Sequence, residues 1–160
     1  MNRKASIVDS IFMVVILFAV AISFVLGYKI YDTMNTHIQG ADTIPDSGKA
    51  VSQNFYDSYV TIFDYGFLFI LIILFLATVV LGAMVDTHPV LYFISAFLTL
   101  IVIILAAIFA NTYDEFRDTS SISAYASQFV IIGFVMEHFV SIITVFILVV
   151  AGITYMRVRS

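Results

Sequence analysis

The residues of this 160-residue chain that could do chemistry surround one carboxylate, Glu137, within an apolar stretch. At helical spacing Ser141 and Thr144 follow Glu137 on one face, which we expect to point into a helical bundle and not at lipid. Such a face would bind a proton or a cation, with His138 as a neighbour. We favour the alternative that Glu137 lies at the water interface and fixes the depth of its helix, because the sequence offers no second embedded charge for a relay.

Signatures of soluble enzymes are absent from the sequence. It contains no HExxH, GxSxG or phosphate-loop motif, no cysteine, and only three histidines, which are far apart. A lipid-modifying pair of Glu137 and His138 is poorly placed, because adjacent helical side chains point about 100° apart. We therefore expect no enzymatic activity, no cofactor and no metal site.

The composition identifies the surrounding solvent. Of all residues 62% are hydrophobic and 11% are charged, with a mean hydropathy of +1.08. In soluble domains about 45–50% of the residues are hydrophobic and about 25% are charged. A helix needs roughly 20 apolar residues to cross about 30 Å of hydrocarbon. The sequence predicts an all-α integral membrane four-helix bundle in a single domain, with spans at 11–30, 65–85, 90–110 and 138–156.

The first and fourth spans each leave an alternative open. Residues 11–30 follow Arg3 and Lys4 as a signal peptide would, but the apolar run continues past the small residues near Ala19, which favours an uncleaved anchor. For the fourth span, either residues 138–156 cross after an interfacial segment at 121–136, or one long tilted helix carries Glu137 below the headgroups. We favour the first placement, since an embedded carboxylate costs a few kcal/mol.

Four spans place both termini on one side, and the basic residues near the termini favour the cytoplasm or an interior. The external loops are then 31–64 and 111–137, and the turn at 86–89, which contains Pro89, joins spans two and three as an antiparallel hairpin.

The net charge of −4, without basic clusters, argues against nucleic acid as a partner. Tyrosines near span ends predict rings in the headgroup layer, namely Tyr28, Tyr31, Tyr65, Tyr92, Tyr113 and Tyr155.

The external loops contain helical signals. The first half of 31–64 has the Gly, Pro, Asp and Asn content of an irregular loop, whereas apolar residues at helical spacing predict that the second helix begins near Lys49. Residues 111–118 would continue the third helix, and the two projecting ends would pack together with 123–129 as a small acidic external cap. A pair of unstructured acidic loops is the alternative.

Small residues recur at a spacing of four within the first three spans. Such positions let helices approach closely, in this chain or between chains, where apolar burial gives no net drive. The predicted helix-packing residues are Ala19, Ser23, Gly27, Thr78, Gly82, Ser95, Thr99, Ala106 and Ala110.

The turn THPV, the segment ANTYDEF after the third span and the segment SAYASQF before the fourth resemble short multi-span proteins encoded by bacteriophages, including membrane-containing ones. The resemblance covers roughly residues 60 to 156 and contains no diagnostic motif, so it assigns no functional residue. It implies a protein of the virion's internal membrane, or of the host inner membrane during assembly.

Two functions remain. The packing stripes and the lack of a chemical site favour a structural or interaction protein in the lipid bilayer, anchoring other membrane or capsid proteins and forming a homo-oligomer where copies meet. The alternative is a small oligomeric channel or holin-like permeabilising protein built around Glu137, Ser141 and Thr144, although the two arginines near the C-terminus are fewer than in many holin tails.

Overall fold

The computed structural model describes the backbone of residues 7–83 and 89–159 and the side chains of residues 11–80 and 97–153. All regular structure in these ranges is helical, so the fold class is all-α. The helices are α1 (Ile7–Gly40), α2 (Asp46–Ala83), α3 (Pro89–Asp118), α4 (Ser123–Ala126), α5 (Val130–Glu137) and α6 (Phe139–Arg159).

The first three helices are long and apolar enough to cross a membrane. They contain 34, 38 and 30 residues, and at 1.5 Å per residue each is longer than the roughly 30 Å of hydrocarbon. The α3 helix begins at Pro89, in agreement with the preference of proline for the first helical turn. The rest of the predicted turn at 86–89 lies outside the described residues, and the hairpin stays a prediction.

The helices α1 and α6 each pack against both α2 and α3. Aromatic contacts mark two of these interfaces: Phe18 stacks on Phe109 at 4.5 Å between ring centroids, and Phe75 meets Phe146 at 4.2 Å. Leu17 of α1 is fully buried. Because lipid is as apolar as these side chains, their close packing supplies dispersion energy where burial from water does not.

Residues 31–40 are helical, and the prediction of an irregular loop there is wrong. Only 41–45 separate α1 from α2. The Thr33 hydroxyl donates to the Lys29 carbonyl at 3.2 Å, and the Thr36 hydroxyl donates to the Asp32 carbonyl at 2.9 Å. These polar side chains would favour a turn in isolation, but here they form hydrogen bonds within the helix. Packing of α1 against α2 favours this helical state.

Two predicted helix extensions are present. The α2 helix begins at Asp46, shortly before the expected start near Lys49, and α3 continues through 111–118. At the start of α2 the Gly48 amide donates to the Pro45 carbonyl at 2.9 Å. The projecting half of α2 packs on residues 31–40 of α1, a partner that the sequence did not indicate.

The apolar stretch before the C-terminus is broken at His138. The axes of α5 and α6 differ by 70°, so the alternative of one continuous tilted helix is wrong. The α6 helix has 21 residues, about 31 Å, and α5 with the described part of α6 is apolar enough to be one broken span when the two helices are taken together. The α5 helix contacts α2 and α3 and buries Ile132, Val135 and Met136.

We predict that Gly27→Ala destabilises the protein by about 1–3 kcal/mol, the usual cost of overpacking. A Cβ at Gly27 would collide with the hydroxyl oxygen of Tyr59, whose buried ring has little room to move. The matched control is Gly66→Ala, because a Cβ at Gly66 meets no other atom and alanine favours the helix. Unfolding by denaturing detergent measures both variants, and equal stability of the two would contradict the tight approach of α1 to α2.

Candidate functional site

A network of amide and hydroxyl side chains joins the projecting halves of α1 and α2. Asn35 and Ser52 are both buried, and the Ser52 hydroxyl donates to Asn35 Oδ1 at 2.7 Å. Asn35 Nδ2 donates to Gln53 Oε1 at 3.0 Å, while Gln39 Nε2 donates to the Lys49 carbonyl at 2.9 Å. Each buried polar group has a partner, so the network resists separation of the two helices.

Next to this network lies a tyrosine cluster, which we define as Tyr28, Tyr31, Tyr56, Tyr59 and Tyr125. The Tyr28 ring lies 5.4 Å from Tyr56, 5.3 Å from Tyr59 and 5.8 Å from Tyr125. The Tyr31 hydroxyl donates to the Ser52 carbonyl at 3.1 Å, which connects the cluster to the network. Aromatic pairs at such distances add about 0.5–1.5 kcal/mol each beyond burial.

The tyrosine cluster also ties α1 to the segment around α4. The Tyr125 hydroxyl donates to Asp32 Oδ2 at 2.8 Å, and this hydrogen bond to a carboxylate raises the pKa of Tyr125. The Tyr28 hydroxyl donates to Gln128 Oε1 at 3.1 Å. The prediction of headgroup-facing rings is wrong for Tyr28 and Tyr113, since both are buried inside the protein.

A second polar feature, the Asp64 site, connects α2 to α5. Asp64 is only 6% exposed, and its two carboxylate oxygens accept hydrogen bonds of 2.8 Å from the backbone amides of Ile131 and Ile132. These amides belong to the first turn of α5, whose preceding residue, Phe129, provides no side-chain cap. A carboxylate at a helix N-terminus satisfies free amides and interacts favourably with the helix dipole.

The hydroxyl of Tyr113, near the Asp64 site, is buried without a hydrogen bond. The charged side chains around Tyr113 are Asp64, Asp114 and Arg117. Arg117 lies 3.7 Å from Asp114 and 3.7 Å from Asp118, and these half-exposed pairs contribute little stability. The Asp64 site was not predicted from the sequence. Its one sequence signal is that the apolar start of α5 contains no capping residue, so the acceptor must come from elsewhere.

The prediction that Glu137, Ser141 and Thr144 point together into the helix bundle is wrong. Glu137 and Ser141 are exposed, and the half-buried Thr144 donates its hydroxyl to the Val140 carbonyl of its own helix at 2.7 Å. The α6 helix instead buries Phe139 and Ile143. The reason is the break at His138, which separates Glu137 from α6, together with the better packing of large apolar side chains.

The predicted helix-packing residues have mixed positions. Ala106 is buried, whereas Ala19 and Ser23 are exposed on the outer side of α1. The side chains of Gly82 and Ser95 lie outside the described residues. The members that are partly buried are Gly27, Thr78, Thr99 and Ala110.

Among the side chains that the structure describes, no group of His, Asp and Glu residues is placed to hold a metal ion. Comparison of the chain with family models, with curated proteins and with solved structures finds no match. The function must therefore be argued from the two polar clusters and the helices that hold them.

We predict that Asn35→Ala lowers the stability of the projecting helices by about 1–3 kcal/mol, the cost of leaving buried polar partners unsatisfied. Ser52 and Gln53 each lose a hydrogen bond in this variant. Thr36→Ala is the control, because Thr36 is exposed and bonds only within its own helix. Hydrogen exchange should accelerate at residues 31–40 and at the start of α2 in Asn35→Ala alone; equal exchange in the two variants would contradict the role of the network.

Proposed function

We propose that the chain is an interaction protein of a membrane, which it crosses four times, through α1, α2, α3 and α6. In this proposal both termini lie on the cytoplasmic or interior side, and the projecting ends of the helices hold other proteins on the opposite side. The observation that carries this proposal is the network of Asn35, Ser52 and Gln53, because the network ties α1 to α2 beyond their apolar stretches. We call the projecting ends of α1, α2 and α3 the platform.

The contacts of α1 indicate that the bilayer surface on the platform side crosses α1 before Ile30, closer to the N-terminus of the helix. Tyr28 of α1 meets Tyr56 and Tyr59, which precede the apolar stretch of α2 by more than one turn. A boundary at Ile30 would place the charged end of α3 in hydrocarbon together with Asp64, at high cost. We therefore infer that the bilayer surface lies near Gly27 and that the segment from Tyr28 onwards belongs to the platform, where its tyrosine rings form a small protein core.

The charges of the platform define its partner. Exposed carboxylates surround it, whereas its cations, Lys29, Lys49 and Arg117, are only half-exposed. An acidic surface attracts a basic segment of a partner and favours fast association at low salt. The resemblance to phage membrane proteins supports a capsid or membrane protein as this partner, in a virion or host membrane. The exposed acidic residues are Asp42, Asp46, Asp57, Glu115 and Asp118.

Labelling from one side of a membrane tests the crossing by α6 and the common side of the connections before α2 and after α3. Because the chain contains no cysteine, the single variants Asp42→Cys, Ser121→Cys and Ser160→Cys report their own positions. We predict that an impermeant maleimide reacts with the first two from one face of a sealed vesicle and with the third from the other. Reaction of residues 121 and 160 from the same face would show that α6 does not cross.

Site-specific photo-crosslinking in the native membrane tests the platform. We predict protein adducts from a crosslinking residue at Met34 or Val51, which are exposed on the projecting helices, and lipid adducts from the controls Phe69 and Leu148. The protein adducts should diminish several-fold when Asp46 and Asp57 are replaced by asparagine, and in high salt. Lipid adducts alone at all four positions, from a chain that is monomeric in detergent, would contradict the proposal.

A channel is the second candidate, and the outward position of Glu137 and Ser141 favours it. Several copies could meet along this side of α6 and surround a polar path that one chain lacks. In this case purified protein in liposomes conducts ions, and Glu137→Gln changes the flux. The platform proposal expects no flux, so the same liposomes decide between the two functions.

A further inference from the structure

The segment from 127 to 137, which we call the strap, has two apolar sides. It contains α5 and the residues that connect α5 to α4. Ile132 and Met136 face the bundle and are buried, whereas Val130 is 73% and Phe134 is 59% exposed. A helix that is apolar on both sides can rest against protein with one side and remain stable when it leaves that contact near a bilayer.

The 70° bend at the end of the strap occurs without a proline or glycine at the bend. Sharp bends in helices normally occur at proline, glycine or an inserted group, but the residues at the bend are Glu137, His138 and Phe139. His138 has φ −102° and ψ 16°, outside the α-helical region and in the sparsely populated bridge region, so the bend is concentrated in the backbone of this one residue. Backbone hydrogen bonds continue on both sides, from the His138 amide to Phe134 at 3.1 Å and from the Ile142 amide to His138 at 2.9 Å.

The far end of the strap is where the bend is held. There Asp64 accepts two hydrogen bonds from the amides of Ile131 and Ile132, and bonds of this kind to a charged group are stronger than neutral ones. The Phe129 ring is buried 5.8 Å from the Tyr28 ring of the tyrosine cluster. These anchors come from α2 and α1, so the bend is a tertiary property with a hinge at a single residue.

We propose that the strap exchanges between this docked state and an undocked state, in which α6 continues as a helix through His138. Asp64 is the latch that favours the docked state, and His138 is the hinge. The eight residues of α5 span about 12 Å, so removing the 70° bend moves the start of α5 by about 14 Å. Undocking withdraws Phe129 from the tyrosine cluster and exposes Asp64 and Tyr113 at the platform side.

Hydrogen exchange of the chain in lipid nanodiscs tests this proposal. In the unmodified protein we expect the amides of 133–137 to exchange faster than those of 143–150, through a local opening. Asp64→Ala should accelerate exchange at 131–137 by at least about tenfold, as expected when a hydrogen bond to a charged group is lost, and leave 143–150 unchanged. The control Asp57→Ala removes an exposed carboxylate of the same helix, bonded only to Gln53, and should change neither segment.

Spin labels measure the movement itself. Labels at Ile62→Cys and Val130→Cys, both exposed, should give one narrow distance in the otherwise unmodified chain. A second distance, displaced by up to about 14 Å, should become populated with Asp64→Ala. It should also appear with His138→Ala, which keeps the latch but favours a continuous helix by propensity.

Two results would overturn the proposal. One is that, in the unmodified protein, the amides of 133–137 and those of 143–150 exchange at the same rate through a single common opening. This measurement does not depend on whether any variant folds. The other is an unchanged single distance in folded Asp64→Ala and His138→Ala.

Discussion

The pairing of Asp64 with the start of α5 is the interaction on which the outer half of the structure depends. A carboxylate that is nearly buried is stable only with hydrogen-bond donors, and the first amides of a helix without a cap need an acceptor. Each group satisfies the other across 67 residues of sequence. The contact fixes where α5 starts and hence where the chain turns into α6.

The same physical requirement explains why the helix ends are polar and yet ordered. Beyond their apolar stretches α1 and α2 cannot rely on lipid to exclude water from their backbones, so side chains must hold them together. Asn35 and Ser52 do this with hydrogen bonds, and Tyr28 and Tyr59 do it with ring contacts. The tyrosines that continue α1 past Gly27 therefore contribute to a protein core with Tyr59 of α2.

The positions of the long apolar helices could be predicted from the sequence, because a span needs a fixed number of apolar residues whatever surrounds it, but the length of α1, which continues to Gly40, could not. Partners could not be predicted. The helical state of 31–40 depends on α2, and the outward position of Glu137 depends on which face of α6 packs best, so neither follows from spacing along the chain. The Asp64 site was missed for the same reason. Asp64 ends the segment 31–64 that was predicted as a loop, and no local pattern connects its carboxylate with two amides of α5.

In the proposed topology, the length of the last helical segment explains why it is bent. Residues 130–159 in one straight helix would extend about 45 Å, well beyond roughly 30 Å of hydrocarbon, whereas α6 alone matches that thickness. A straight helix would have to tilt strongly or to push its apolar first turns out of the bilayer. Turning at His138 keeps Ile132 and Met136 against α2 and α3, and it leaves Glu137 at the point where the chain changes direction. The exposed carboxylate is thus best understood as a consequence of the bend, because a residue at such a corner can reach water while both flanking helices remain packed.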